Sequence, residues 1–197
     1  MKTLLNKFAL FVVIIGASSQ AMAVAMVWGE GEWGDDWGAV VQVSGPPPEG
    51  PIPEAIKVNT IGGSARAADF GLGAYSNNGS PAYGNDFTAG DFVTIIGEVT
   101  PDPVDIGANG ELYAAFASVI GGKVAFSFLN EDGNFETWDT TLGGLGPALI
   151  ATPLEASHQV TIFEGNLQAG IYKFTFAYMA DGGPLVFMKP VAIVVSE

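Results

Sequence analysis

Apolar and polar side chains alternate with a period of two along the second half of the chain. Residues 170–179 show it most clearly, with aromatic side chains at every second position: Tyr172, Phe174, Phe176 and Tyr178. Residues 123–130 repeat the pattern with three apolar side chains: Val124, Phe126 and Phe128. Successive side chains of a β-strand point to opposite faces, so this alternation predicts strands that bury one face in a core.

Strand-length apolar runs recur from Asp86 onward, separated by residues typical of turns. The predicted strands are residues 92–99, 111–120, 123–130, 134–139, 158–165, 170–179 and 185–195. Gly121 and Gly122 predict a two-residue hairpin turn, and residues 130–134 and 180–183 predict two further turns. Pro190 interrupts the last run, which indicates a strand edge or a bulge, because proline cannot donate to a sheet ladder.

About seven short strands at hairpin spacing predict an all-β fold, an antiparallel immunoglobulin-like β-sandwich. The sequence NLQAGIYKF, residues 166–174, supports this class. It has the order of a tyrosine corner, in which the Tyr172 hydroxyl bonds to the backbone upstream and Phe174 stands where a cysteine is usual. The chain departs from antibody domains because it has no cysteine. A jelly roll or another sandwich topology is the alternative.

The first 23 residues have the features of a secretory signal peptide. Lys2 and Lys7 make the start positive, residues 8–15 form a short apolar run, and a small-x-small pattern ends at Ala23. The apolar run is shorter than the ~20 residues that span a bilayer. We therefore expect cleavage there, or at Ala25, rather than a permanent membrane span. The mature protein is expected to be secreted, extracellular or periplasmic.

Residues 24–85 are predicted to form an irregular N-terminal extension rich in glycine, proline and tryptophan. Residues 39–44 and 55–61 are strand candidates within it. Residues 45–54 are rich in proline, which predicts a stiff connector, and residues 62–86 are mostly small or polar, which predicts a long loop. The expected organisation is a signal peptide at 1–23, the extension at 24–85 and the sandwich at 86–197.

Acidic residues outnumber basic residues by 21 to 7. The predicted cleavage removes Lys2 and Lys7 and no acid, so the mature chain carries 5 basic and 21 acidic residues, a net charge of −16. A charge of this sign repels nucleic acid and anionic lipid, so neither is expected as a partner. The absence of cysteine excludes disulfides and thiol chemistry.

Residues 86–195 resemble Ig-like and cadherin-like β-sandwich modules of bacterial surface and secreted proteins. The segments that carry the likeness are EVTPDPVDIGANGELY, GNFETWD, VTIFEG, AGIYKFTFAY and DGGPLVF. The resemblance implies a sandwich fold and an extracellular setting. It implies no catalytic residues, and the N-terminal extension lies outside it.

Carboxylates cluster at three places that suit calcium, which prefers hard oxygen ligands. Asp102 and Asp105 lie near Glu98, Asp132 lies between two asparagines, and four acids lie within residues 30–36. Asp102, Asp105 and Asp132 are therefore candidate Ca²⁺ ligands, and no other cofactor is expected. Acidic turn residues that only solvate the surface are the alternative interpretation.

Three tryptophans, Trp28, Trp33 and Trp37, lie among glycines in the N-terminal extension. They are candidate binding residues, because aromatic faces stack on sugar rings. The interpretation we favour is docking, either on the edge of the sandwich or on a neighbouring subunit, because exposed tryptophans promote aggregation.

The sequence carries no signature of an enzyme. The only histidine, His158, follows Ser157 without a nucleophile-elbow pattern, and we expect it to have a structural role. The leading hypothesis is a non-enzymatic interaction or assembly module, a surface, matrix or adhesion component that binds other extracellular proteins or itself. A carbohydrate- or Ca²⁺-binding module is the second hypothesis, and a hydrolase is the third.

Overall fold

The computed structural model describes residues 47–53, 58–76, 82–151 and 153–197. Within them the chain forms twelve strands and a short 3-10 turn at Leu142–Gly144. The strands are β1 (Val58–Ile61), β2 (Asp69–Ser76), β3 (Asp86–Thr88), β4 (Phe92–Thr100), β5 (Gly110–Ile120), β6 (Lys123–Leu129), β7 (Phe135–Thr137), β8 (Leu149–Ala151), β9 (His158–Asn166), β10 (Gly170–Ala180), β11 (Leu185–Met188) and β12 (Val191–Ser196). The predicted all-β class is confirmed, and the described part of the chain has no helix able to cross a membrane.

The strands form two sheets whose inner faces share one core, as in a β-sandwich. In the small sheet β4 lies between β2 and β9, and both pairings are antiparallel. The large sheet follows the path β1-β11-β10-β5-β6-β7, with β12 also paired to β10 and β8 also paired to β5. β3 extends this sheet by pairing in parallel with β12. β10 is therefore the central strand of the large sheet.

Pro190 divides the last predicted strand into β11 and β12. Both pair with the same edge of β10, and the register shifts by one residue between the two pairings, which is a β-bulge. Beside the bulge the Thr175 hydroxyl donates to the Met188 carbonyl at 2.9 Å. The interruption predicted at Pro190 is confirmed, and on their other edges β11 pairs with β1 and β12 with β3.

The core lies between the two sheets. The four alternating aromatic residues of β10 are all buried there, as predicted: Tyr172, Phe174, Phe176 and Tyr178. From the small sheet, Phe70 packs edge-on against Phe176 with ring centroids 6.3 Å apart. Gly97 lies against the same ring, since a Cβ there would be 3.0 Å from the Phe176 Cγ. Phe176 therefore joins β2 and β4 to the large sheet.

Two of the predicted hairpin turns have the backbone that their residues favour. Gly121 and Gly122 have φ angles of 55° and 76°, and Asp181 and Gly182 have 47° and 64°. Two successive positive φ angles define the type I′ turn, which matches the twist of antiparallel strands. Asp181 accepts the backbone N–H of Asn109 at 3.1 Å, a bond that helps to hold this non-glycine residue in a left-handed conformation.

The predicted tyrosine corner is present at the start of β10. The Tyr172 hydroxyl donates to the Gln168 carbonyl at 2.9 Å, four residues upstream. Phe174, two residues further along β10, is fully buried. The bond fixes the corner by which the chain enters the central strand.

The prediction of a long loop at residues 62–86 is wrong for residues 69–76, which form β2. Phe70, Leu72 and Ala74 face the core and are buried, although glycines separate them. The glycines make room on the outward face, where Ile52 packs against Gly71. β1 belongs to the large sheet and β2 to the small sheet. Each sheet therefore contains a strand that lies before residue 86, where the sandwich was expected to begin.

The prediction that β6 buries its three apolar residues in the core is wrong. Val124 is 60% exposed and Phe126 is 39% exposed, and only Phe128 is buried. The alternation itself is present, but the opposite face of β6 points toward the core, where Leu129 is buried. Phe116 pairs with Ser127 on the core side, so a bulky neighbour fills the space that a large residue in β6 would need.

Candidate interaction surface

Four branched aliphatic side chains form a continuous row across the outward face of the large sheet. Val194 pairs with Ile171, Ile171 with Val119, and Val119 with Val124. Directly paired residues lie on the same face of a sheet, so the row runs across β12, β10, β5 and β6. The exposed fractions are 40%, 43%, 39% and 60% in that order. The row is therefore open to solvent along its whole length.

A second row lies beside the first. It pairs Ala192 with Lys173, Lys173 with Ala117, and Ala117 with Phe126. Lys173 is the one charged residue in the two rows, although acids predominate in the chain. We call the five large exposed apolar side chains of the two rows the outer patch: Val119, Val124, Phe126, Ile171 and Val194. Two acids flank it, since Asp86 pairs with Val194, and Glu136 pairs with Phe128 just beyond the second row.

The other half of the same face is covered by the segment between β7 and β8. Leu145 packs on a small buried cluster formed by Tyr113, Ala177 and Leu185. Gly146 lies against the ring of Phe128, because a Cβ there would be 2.8 Å from Cε2. This covering segment does not bury the outer patch, which leaves its side chains available to a partner.

Asp102 and Asp105, two of the candidate calcium ligands, lie together in the loop after β4 and are nearly buried, at 8% and 7% exposure. The Asp102 carboxylate accepts the backbone N–H groups of Ala67 at 2.6 Å and Val104 at 3.1 Å. The Asp105 carboxylate accepts from the Arg66 side chain at 3.1 Å. Donors from the protein therefore hold both acids, which tie the chain before β2 to this loop.

Tyr178 completes this cluster from the central strand. Its hydroxyl donates to Asp105 at 2.8 Å and accepts the backbone N–H of Asp102 at 3.1 Å. Burial raises the pKa of Tyr178 above its ordinary value, so the hydroxyl keeps its proton and can donate. The cluster is a buried polar connection between the sheets.

Replacing Tyr178 by phenylalanine should lower the free energy of unfolding by about 1–3 kcal/mol, because a buried donor and a buried acceptor lose a partner. The urea midpoint should fall with little change in slope. Asp105→Asn alone and combined with Tyr178→Phe completes a double-mutant cycle. If the two effects simply add, the bond between these side chains contributes nothing to stability.

Acid should remove stability through Asp102. The bonds from Ala67 and then Val104 hold the pKa of its carboxyl below the ordinary value. Because the folded-state pKa is lower than the unfolded one, this stabilisation is fully present above about pH 5 and is lost as pH falls through the folded-state pKa. Urea midpoints between pH 7 and pH 3 should therefore fall less steeply in Asp102→Asn than in the wild type. Equal slopes would contradict this assignment.

Asp132, the third candidate ligand, lies apart from these acids in the predicted hairpin turn between β6 and β7. The Asn130 side chain accepts the backbone N–H groups of Asp132 at 3.1 Å and Asn134 at 2.9 Å. Gly133 has a φ of 75° and closes the turn. Among the described residues, no three histidine or acidic side chains lie close enough together to hold a metal ion. Calcium binding stays a prediction.

Ser157 and His158 do not contact each other as a nucleophile and its base. His158 Nε2 accepts the backbone N–H of Glu155 at 2.8 Å, and the Ser157 hydroxyl donates to Glu98 at 3.1 Å. Both bonds lie at the exposed end of the small sheet, where they fix the start of β9. These contacts fit the structural role that the sequence predicts for His158.

A cleft of about 370 Å³ lies at the end of the sandwich near Asn109 and Glu111. Its two carboxylates have bonds within the protein: Asp181 accepts from Asn109, and Glu111 accepts from the Tyr113 hydroxyl. The cleft thus holds carboxylates that already have hydrogen-bond partners.

The three tryptophans proposed as binding residues, Trp28, Trp33 and Trp37, lie outside the described residues, as does the strand candidate at 39–44. Among known proteins nothing matches this chain, whether the comparison is with family models, curated proteins or solved structures.

Proposed function

We propose that the protein is an exported, non-enzymatic module for interaction or assembly, and that the outer patch is its docking surface. The observation that carries the proposal is the row of Val194, Ile171, Val119 and Val124, which pair directly and are each at least 39% exposed. Isolated exposed apolar residues are ordinary on protein surfaces, whereas contiguous ones mark interaction sites.

The patch has the composition of the centre of an interface. Branched and aromatic side chains bury apolar area on contact, and charged residues are depleted where an interface is fully buried. Lys173, in the second row, adds a charge of the sign that is scarce in this acidic chain. A partner that covers the patch is therefore expected to be apolar with acidic groups.

We propose the immunoglobulin-like class for the sandwich. The tyrosine corner at Tyr172 supports it, because this bond marks the same corner in immunoglobulin domains. The division into a small sheet around β4 and a larger one around β10 supports it as well.

Export is proposed from the signal peptide expected at residues 1–23. Expression of residues 1–197 in a secreting bacterial host, followed by intact mass measurement, should show a chain that begins at Val24. A product beginning at Met26 would move the cut to the alternative site, and a product that retains Met1 and stays in the cytoplasm would contradict export.

The docking surface is tested by the mass of the purified mature protein in sedimentation equilibrium. We expect wild-type protein to self-associate, and Val124→Glu or Ile171→Glu to weaken association about tenfold or more, because the contact would bury an unpaired carboxylate. Val104→Glu is the matched control, since Val104 is 74% exposed and lies outside the patch. If Val124→Glu and Ile171→Glu both associate as strongly as the wild type and the Val104→Glu control, the patch is not the docking surface.

A further inference from the structure

The outer patch and the N-terminal extension have complementary chemistry. The patch is apolar, and Lys173 lies in its second row. Residues 24–46 carry three tryptophans together with four acids, and no basic residue. Aromatic side chains bury the largest apolar area per residue, and the carboxylates match the charge of Lys173. The apolar surfaces of the two therefore match, and Lys173 offers one positive charge to the acids of the segment.

The N-terminal part of the described chain joins the sandwich at the small sheet, not at the sheet that carries the patch. Ile52 packs against Gly71 on the outward face of the small sheet, and the Pro53 carbonyl accepts the backbone N–H of Leu72 at 3.1 Å. The outer patch lies on the outward face of the other sheet. Residues 24–45 can extend over roughly 70 Å at ~3.3 Å per residue, which is enough to reach a neighbouring molecule.

Prolines restrict the chain where this segment joins the sandwich. Pro46, Pro47 and Pro48 are consecutive in the sequence. Proline fixes φ and favours an extended chain, so a sharp reversal toward the opposite face of the same molecule is disfavoured at this point. The geometry therefore favours a second molecule as the acceptor.

We infer that residues 24–46 of one copy dock on the outer patch of a second copy. The inference rests on the proposed function and names the partner of its docking surface. The donor segment and the acceptor patch are different surfaces, so the contact is heterologous and each bound copy still offers a free segment or a free patch. Repetition of the contact builds a head-to-tail chain of molecules.

Direct contact between two patches is the less favourable arrangement. It would bring the Lys173 side chains of two copies onto one interface, and it would use neither the tryptophans nor the acids of residues 24–46. The mature chain also carries a net charge of −16, so close approach of two sandwiches is opposed at low salt. A docked segment keeps the two sandwiches further apart.

Cysteine cross-linking tests the contact, since the chain has no cysteine of its own. Mature Trp33→Cys and mature Val124→Cys are mixed and mildly oxidised, and the heterodimer is measured by mass. We expect it to form at least tenfold faster than with Val104→Cys in place of Val124→Cys. Val104 is the more exposed of the two, at 74% against 60%, so accessibility alone would favour the control. Equal rates with the two acceptors would overturn the inference.

A chain that carries both Trp33→Cys and Val124→Cys separates binding between copies from binding within one. We expect covalent dimers and larger species from this variant. A cross-link confined to single chains would overturn docking on a second copy.

Sedimentation of Trp33→Ser/Trp37→Ser distinguishes this inference from the proposed function. We expect association of the double variant to weaken about tenfold, as it does for Val124→Glu. If Val124→Glu weakens association and the tryptophan variant does not, the inference fails and the docking surface stands. If association is insensitive to both, the docking surface fails as well.

Discussion

Phe176→Ala is expected to lower the free energy of unfolding by about 3–5 kcal/mol. The side chain is fully buried, it contacts Phe70 edge-on, and its ring lies against Gly97. Glycine at 97 has no side chain that could move into the space, and Ala114, the partner of Phe176 in β5, is also small. The cavity should therefore persist rather than collapse, so the cavity adds to the loss of apolar burial.

The measurement is the urea midpoint of the mature protein at pH 7, with far-ultraviolet circular dichroism to follow the sheet. Phe126→Ala is the matched control, since Phe126 is 39% exposed on the outer patch and its removal should cost less than about 1 kcal/mol. The control should weaken association instead. If the two substitutions destabilise the protein equally, β10 is not the strand that joins the two sheets.

These two phenylalanines also show what the sequence reveals and what it leaves open. A period of two identifies residues that share a face, and both β6 and β10 obey it. It does not say which face packs on the core when each face offers a plausible set of side chains. In β6 the answer depends on Phe116, which pairs with Ser127 from the neighbouring strand and fills the core side. The two-residue turn at Gly121 and Gly122 fixes that pairing, but it does not determine which face of the hairpin packs on the core.

The loop prediction failed at residues 69–76, which form β2, because the sequence pattern there also has two interpretations. Its alternation of Phe70, Leu72 and Ala74 is regular, but the intervening glycines are typical of loops. The structure explains them by close approach, because Ile52 packs against Gly71 where a larger residue would collide. Glycine in a strand often marks such contacts. The alternation alone could have identified this strand.

The outer patch could not be predicted from the sequence. Its members come from four strands, and the sequence separates Val119 from Ile171 and Val194. Only the registers of β5 with β6 and of β10 with β5 and β12 bring them into a row. The tyrosine corner and the hairpin turns could be predicted because they depend on residues close together in the chain.

The two acids that the sequence groups, Asp102 and Asp105, have structural contacts that the sequence does not reveal. Asp102 and Asp105 were grouped by spacing, and they do lie together. Their spacing could not reveal Arg66 and Tyr178, which approach from distant parts of the chain and provide hydrogen bonds. Spacing groups two acids in a loop, but it does not identify the donors that reach them from distant parts of the chain.

Gly110→Ala is expected to destabilise the protein by about 3 kcal/mol, the upper end of the usual cost of overpacking. A Cβ at residue 110 would lie 2.7 Å from Leu154 Cδ1 and closer still to Cγ and Cδ2. Leu154 cannot move aside easily. It is 1% exposed, its N–H donates to Ala108 at 2.8 Å, and its carbonyl accepts from Gly107 at 2.9 Å.

Leu154→Ala removes the atoms that collide, so combining it with Gly110→Ala provides the decisive comparison. Each single substitution should destabilise, and the double variant should be more stable than the sum of the two effects predicts by at least about 1 kcal/mol. Gly84→Ala is the matched control, because nothing lies within 4 Å of its Cβ position and its change should stay within about 1 kcal/mol. Additive effects would mean that Leu154 does not pack on Gly110. A large loss of stability in Gly84→Ala would mean that replacing glycine by alanine destabilises this protein in general. The loss at Gly110 could then not be assigned to Leu154.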